Sequence, residues 1–285
     1  MYFRTDLALE ENEQIGAAPQ GVLCRSYRKS RARITRIDVN DRTGAEAMHK
    51  PIGHYITIEL PPFSDFVDEE NRYAPVIAQE LSTLIPENGT ALVAGLGNES
   101  ITPDAIGPRT ARSVLATRHL RSEFAHSAGL EHLRPVAVIS PGVMGNTGIE
   151  TAEFLRGVIR ESVPDFLIVI DALAARGVER LGNTVQLCDS GISPGSGVHN
   201  ARPMLSRESL GIPVIAIGIP TVVDAQTLST FYSGHRRTRA NLPPMIVTPR
   251  EIDLLVRRAA HMTALAINCA LQPKLTMKEL LQLMP

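Results

Sequence analysis

Two aspartates stand where acid–base chemistry would need them. Asp104 follows the glycine-bearing loop Gly95-Leu96-Gly97-Asn98-Glu99-Ser100-Ile101-Thr102-Pro103, and Asp171 ends the apolar run Phe166-Leu167-Ile168-Val169-Ile170. A charge attached to a buried run is costly unless it is paired or meets water, which makes Asp171 the more telling of the two. Each has a plain structural reading as well. Asp104 is also what a helix's first turn favours next to its free N–H groups, and Asp171 is also a suitable N-cap for an Ala-rich helix that would begin at Ala172. Brought together, the two acids gain a chemistry that neither has alone. Two close carboxylates do not both ionise readily, so the pair shares one proton. The ionised member then draws a proton from water while the protonated one polarises a peptide carbonyl.

Other motifs around these acids are weaker. Gly95 and Gly97 begin a dinucleotide fingerprint, but Ser100 stands at its third glycine, so a nucleotide-binding α/β protein is the lesser alternative. Ser140-Pro141-Gly142-Val143-Met144-Gly145 and the stretch Asp189 to Asn200 supply glycines that permit close approach to an extended peptide or simply make tight turns. Gly95, Gly97, Asn98, Thr102, Gly142, Val143, Met144 and Gly145 are the candidate site-lining residues. Asp189-Ser190-Gly191 matches the D-[ST]-G of pepsin-like enzymes over three residues only, in a chain patterned as α/β, and is read as coincidence. There is no H-E-x-x-H helix, and Ser140, Ser190 and Ser196 lack a G-x-S-x-G elbow.

The elements that must position the acids are legible from periodicity. Runs at 54–58, 91–94, 136–139, 166–170 and 214–217 are apolar on both faces, as buried parallel strands are, and helical stretches separate them. The expected fold is a three-layer α/β/α domain on a mostly parallel, twisted sheet. Ligands of such sheets bind beyond the carboxyl ends of the strands. If the strands ending at Gly95 and Ile170 are neighbours, their ends lie about 5 Å apart. Thr248-Pro249-Arg250-Glu251 predicts the start of a long C-terminal helix with Leu255, Val256 and Ala259 on its buried face. Residues 1–20 read as poorly ordered, 233–244 as a mobile loop, and 31–39 as an arginine-rich edge strand.

Composition narrows the class further. Lys+Arg 29 against Asp+Glu 30 in 285 residues leaves a net charge of -1, so no general field draws the chain to nucleic acid or to a membrane. The three cysteines, Cys24, Cys188 and Cys269, are far apart and suggest neither disulfides nor a thiolate metal site. Neither a signal-like N-terminus nor a membrane-length apolar run is expected, and a reducing cytoplasm fits.

Several stretches together resemble the germination protease family of endospore-forming bacteria: Arg4 to Ala8, Gly95 to Pro108, Pro141 to Thr151, Ile170 to Arg176, Asp189 to Gly197, Gly211 to Ala225 and Val247 to Asp253. The resemblance implies an endopeptidase of the spore core that degrades small acid-soluble spore proteins, is made as a zymogen, and assembles as a homotetramer without a cofactor. By motif position it implies Asp104 and Asp171 as the essential pair. It also implies autoprocessing between Asp6 and Leu7, since Thr5-Asp6-Leu7-Ala8 is similar to the family's target, leaving 1–6 as propeptide and 7–285 as peptidase domain. The propeptide would be short, and most of an insertion that relatives carry after Ala225 is absent. A more distant similarity to hydrogenase-maturation proteases, which have a phosphorylase/hydrolase-like fold and bind metal at these two acids and a histidine, makes His199 a weak metal candidate.

Overall fold

In the computed structural model, which describes residues 5–16, 19–63, 71–120, 130, 132–196, 202–232 and 245–284, the β-branched runs join one sheet of nine strands. In chain order these are β1 (Val22–Lys29), β2 (Ala32–Val39), β3 (Gly53–Glu59), β4 (Ala91–Gly95), β5 (Val136–Ile139), β6 (Phe166–Ala175), β7 (Thr184–Cys188), β8 (Val214–Asp224) and β9 (Ile246–Val247). Their order in space is β1-β2-β3-β7-β8-β6-β4-β5, with β9 paired to β8. Strands β8, β6, β4 and β5 are parallel to one another. That group is the twisted, doubly covered sheet the apolar runs call for.

Helices α1 (Ala8–Ile15), α2 (Arg42–Met48), α3 (Tyr73–Ser82), α4 (Ile106–Arg112), α5 (Thr151–Ser162) and α6 (Ile252–Leu271) cover the two faces. On one face Ile77 and Leu81 of α3, Ile106 of α4 and Val256 of α6 pack over Val93, Ile168, Ile170 and Ile215. On the other, Ala8 of α1, Met48 of α2 and Leu155 of α5 pack over Ile37, Leu92, Leu167 and Val169. Alternate residues of β4 and β6 thus feed opposite cores, which is why these runs carry no polar face. The result is a three-layer α/β architecture.

Several expectations change. β3 is apolar and buried but runs antiparallel to β2 and β7, in a wing where every neighbour is antiparallel. Doubly buried antiparallel strands carry the same apolar signature as parallel ones, so composition alone does not separate them. β2 is not the edge. It lies between β1 and β3, and β1, whose residues are mostly exposed and include Arg25 and Arg28, takes the outermost place. No helix starts at Ala172, because β8 continues alongside and pairs with Ala172 to Ala175, so β6 remains a strand. Residues 5–16 of the N-terminal stretch pack on the domain: Leu7 is 0% exposed and α1 follows it. α6 begins at Ile252, flanked by Glu251, which caps no N–H with its side chain. Residues 233–244 lie outside the described residues.

Candidate active site

Asp171 sits on β6 one residue past the level at which β4 ends, since Gly95 pairs with Ile170. By alternation its side chain points to the same face as Leu167 and Val169, and it is 5% exposed. The Ala172 N–H donates to its Oδ1 at 2.9 Å. Burial above all, and then the charge of Asp104, push the Asp171 carboxyl well above the usual carboxylate range, with Asp6 adding in the same direction.

Asp104 reaches the same place from β4 through a loop whose shape depends on glycine. Gly97 has φ 110°, and a Cβ there would overlap the Asp104 carbonyl. Gly107, in the first turn of α4, lies so near the Leu96 and Ile170 backbones that a Cβ would strike both. These close approaches seat the turn Thr102–Asp104 at the end of β4 and against β6 at Ile170. The Asn98 N–H donates to Asp104 Oδ2 at 2.6 Å. Thr221 of β8 ties the turn down from the other side, its Oγ1 donating to the Pro103 carbonyl at 2.8 Å. Burial raises the Asp104 carboxyl and the Asn98 N–H opposes that rise.

Both acids line one cavity of about 260 Å³, open to solvent. Their environments differ in a useful way: Asp171 is buried beside two other acids, whereas Asp104 is less enclosed and accepts an N–H. Burial raises both carboxyls, and the charge of Asp104 lifts Asp171 further, so of the two Asp171 is the one favoured in its protonated form. A carboxylate base and a carboxylic acid facing one cavity can activate water and polarise a carbonyl together.

Comparison with known proteins bears on what that arrangement serves. The family model described as germination protease matches residues 4–231. The chain belongs to the germination protease family. It is 43% identical over 317 residues to a germination protease of Caldanaerobacter subterraneus subsp. tengcongensis, covering 99% of this chain and 98% of that one. It is 39% identical over 320 residues to that of Clostridium tetani, covering 98% of each, and 45% identical over 240 residues to that of Bacillus velezensis, covering 80% of this chain and 65% of the other. Among solved structures it is similar to a [NiFe] hydrogenase maturation protease, HycI, of Thermococcus kodakarensis KOD1 at 18% identity and TM-score 0.40, over 67% of this chain and 98% of that one. As a member of this family the chain is a peptidase. No helix among the described residues is long and apolar enough to cross a membrane.

In this peptidase the expected lining residues separate into two groups. Gly97, Gly142, Val143 and Met144 border the cavity with the acids. Gly95, Asn98, Thr102 and Gly145 are not among the residues that line it. Gly95 serves packing, since a Cβ would strike Gly107; Asn98 orients Asp104 through its backbone; and Thr102 Oγ1 donates to Asp253 of α6 at 3.0 Å. His199 lies outside the described residues, among which no group of three His, Cys, Asp or Glu side chains is placed to hold a metal ion.

The structure also places residues at the cavity that the sequence does not single out: Thr221 lines it, as do Arg202 and Glu150, whose side chains lie 3.5 Å apart. Asp6, expected from the likeness of Thr5-Asp6-Leu7-Ala8 to a cleavage target, lines both this cavity and a neighbouring one of about 550 Å³ bordered by Lys50, Gln186 and Ser196.

Proposed function

We propose that this chain is the endopeptidase that begins degradation of small acid-soluble spore proteins at germination, and that Asp104 and Asp171 activate the attacking water. It is made as a zymogen in the spore core, with residues 1–6 as propeptide and 7–285 as the peptidase domain, and it works as a homotetramer without metal. The observation that carries this reading is the pairing of two unlike carboxyls in one cavity, with Asp171 pushed well above the ordinary range by burial and by Asp104.

In this reading water adds to the scissile carbonyl carbon. Asp104 takes a proton from the water, and Asp171 gives its own to the carbonyl oxygen. The tetrahedral intermediate then collapses as the proton on Asp104 passes to the departing nitrogen. The C–N bond breaks, and Asp171 recovers its proton from the intermediate's hydroxyl, leaving a carboxylic acid and an amine. Both acids return to their starting states.

Self-cleavage falls between Asp6 and Leu7. Support comes from the place of Asp6, which borders the cavity of the two acids and whose charge acts on Asp171. The test is the mass of the purified full-length chain after incubation at mildly acidic pH. Loss of residues 1–6 is expected, with Asp104→Asn and Asp171→Asn chains remaining whole. An unaltered mass, together with no cutting of a spore-protein peptide, would remove the proposal.

A further inference from the structure

Strand β6 outruns β4, and the edge it exposes is where the N-terminal segment lies. The Ile170 carbonyl accepts from the Leu96 N–H at 2.8 Å, so the main chain of Ile170 faces the β4 side. Residues two apart along a strand share a side, which turns the main-chain groups of Ala172 and Ala174 to that same side, past the end of β4. At Ala174 the edge is taken by Asp6. The Asp6 N–H donates to the Ala174 carbonyl at 3.0 Å, and the Ala174 N–H donates to Asp6 Oδ2 at 2.8 Å. The aspartate side chain thus takes the place that a neighbouring strand's carbonyl would fill.

The second carboxylate oxygen is also held. Ser196 Oγ donates to Asp6 Oδ1 at 2.7 Å. The Asp6 carbonyl is fixed independently, by Lys50 Nζ at 3.0 Å and Gln186 Nε2 at 3.1 Å. Each oxygen of one exposed-type side chain therefore has its own donor, in a cleft that also holds two carboxyl groups. A further negative charge beside Asp104 and Asp171 is unfavourable unless something is built to receive it. Two donors aimed at one carboxylate are such a device, because hydrogen bonds to an ionised acceptor are about twice as strong as neutral ones.

We infer that Ser196, with the edge of β6 at Ala174 beyond the end of β4, is the subsite that reads an acidic side chain of the peptide substrate, and that Asp6 fills it here as a resident copy. Ser196 is then a specificity-determining residue. Substrate backbone adds to the edge of β6 at Ala174 and at the Ala172 carbonyl, the Ala172 N–H being held by Asp171, which lays the chain across the cavity of the two acids. This rests on the proposed peptidase reading for its meaning, but its contacts are testable apart from catalysis.

The experiment is a double-mutant cycle between peptide and protein. The host is the full-length chain carrying Asp6→Ala, so that its own carboxylate no longer fills the subsite, and Asp171→Asn, so that nothing is turned over. The probe is a fluorescein-labelled peptide copying residues 1–14, with Asp or Ala at position 6, and binding is read by anisotropy. With Ser196 present the Asp peptide binds about tenfold tighter than the Ala peptide. Ser196→Ala cuts that preference to about threefold, the share left to the Ala174 N–H, and Ser196→Thr, which keeps a hydroxyl, restores it. An equal preference in the Ser196→Ala host, or none in the Ser196 host, overturns the subsite. Selective binding by a chain that never cuts the same peptide when Asp171 is intact sinks the peptidase reading alone. Cutting after the acid with no dependence on Ser196 sinks the subsite alone.

Discussion

The parallel and antiparallel parts of the sheet contribute to the site in different ways. β4 ends level with Ile170, so the loop after it, seated by backbone contacts that only glycine allows, brings Asp104 beside Asp171 within β6. The wing supplies no acid to the cavity. It supplies grip: Gln186 of β7 and Lys50, just beyond α2, hold the Asp6 carbonyl. The Asp104 loop is placed by main-chain geometry, whereas the Asp6 carbonyl is held by long side chains from far away. Damage to the first should abolish turnover, and damage to the second should loosen binding while leaving the acids intact.

The largest effect belongs to the acids. In the proposed mechanism Asp104→Asn removes the base and Asp171→Asn the acid, and kcat on a spore-protein peptide should fall by at least about 10³-fold with the fold retained, as checked by circular dichroism. Next is the scaffold that aims them. Gly97→Ala forces a Cβ against the Asp104 carbonyl at φ 110°; it should cost roughly 1–3 kcal/mol of stability and about 10²-fold in kcat. Activity unchanged in that variant would show that the turn does not need its present seat.

Asp171 also leaves a mark on stability. Its folded pKa lies above the unfolded value of 3.8, so its contribution is full below that value and is lost as pH rises through the folded pKa. Asp171→Asn is neutral at every pH and can still accept the Ala172 N–H. The variant should be more stable than the parent at pH 7 by about 1–3 kcal/mol, and the gain should vanish below about pH 4. Thermal unfolding followed across that range checks the sign.

The smallest effect is expected in the wing. Gln186 bridges the Asp6 carbonyl and the Ala8 N–H, which donates to its Oε1 at 2.7 Å. Gln186→Leu should cost about 1–3 kcal/mol by leaving those groups unpaired, and should expose the Asp6 to Ala8 stretch to limited proteolysis. A variant as resistant as the parent would place the grip elsewhere.

How much of this was readable beforehand follows the same division. Asp171 after its apolar run, the glycines of the loop that carries Asp104, and the three-layer architecture are legible, because each is a local pattern of burial or turn chemistry. The antiparallel direction of β3 was not, since a doubly buried strand looks alike in either direction. The continuation of β6 through Ala172 to Ala175 was not, because alanine favours helix and only the presence of β8 alongside overrides it. The seat of Asp6 was hidden for a simpler reason: its partners Ala174 and Ser196 lie 168 and 190 residues away along the chain. Local spacing carries no trace of such contacts.

The proton assigned to Asp171 can be observed directly. Carbon-13 labelling of the aspartate carboxyls, with Asp171 identified by its loss in Asp171→Asn, gives its titration by NMR. The account predicts a carboxyl still protonated well above the ordinary aspartate range, and a titration that moves down when Asp104→Asn removes the neighbouring charge. An Asp171 that ionises in the ordinary range and does not respond to Asp104→Asn would contradict it.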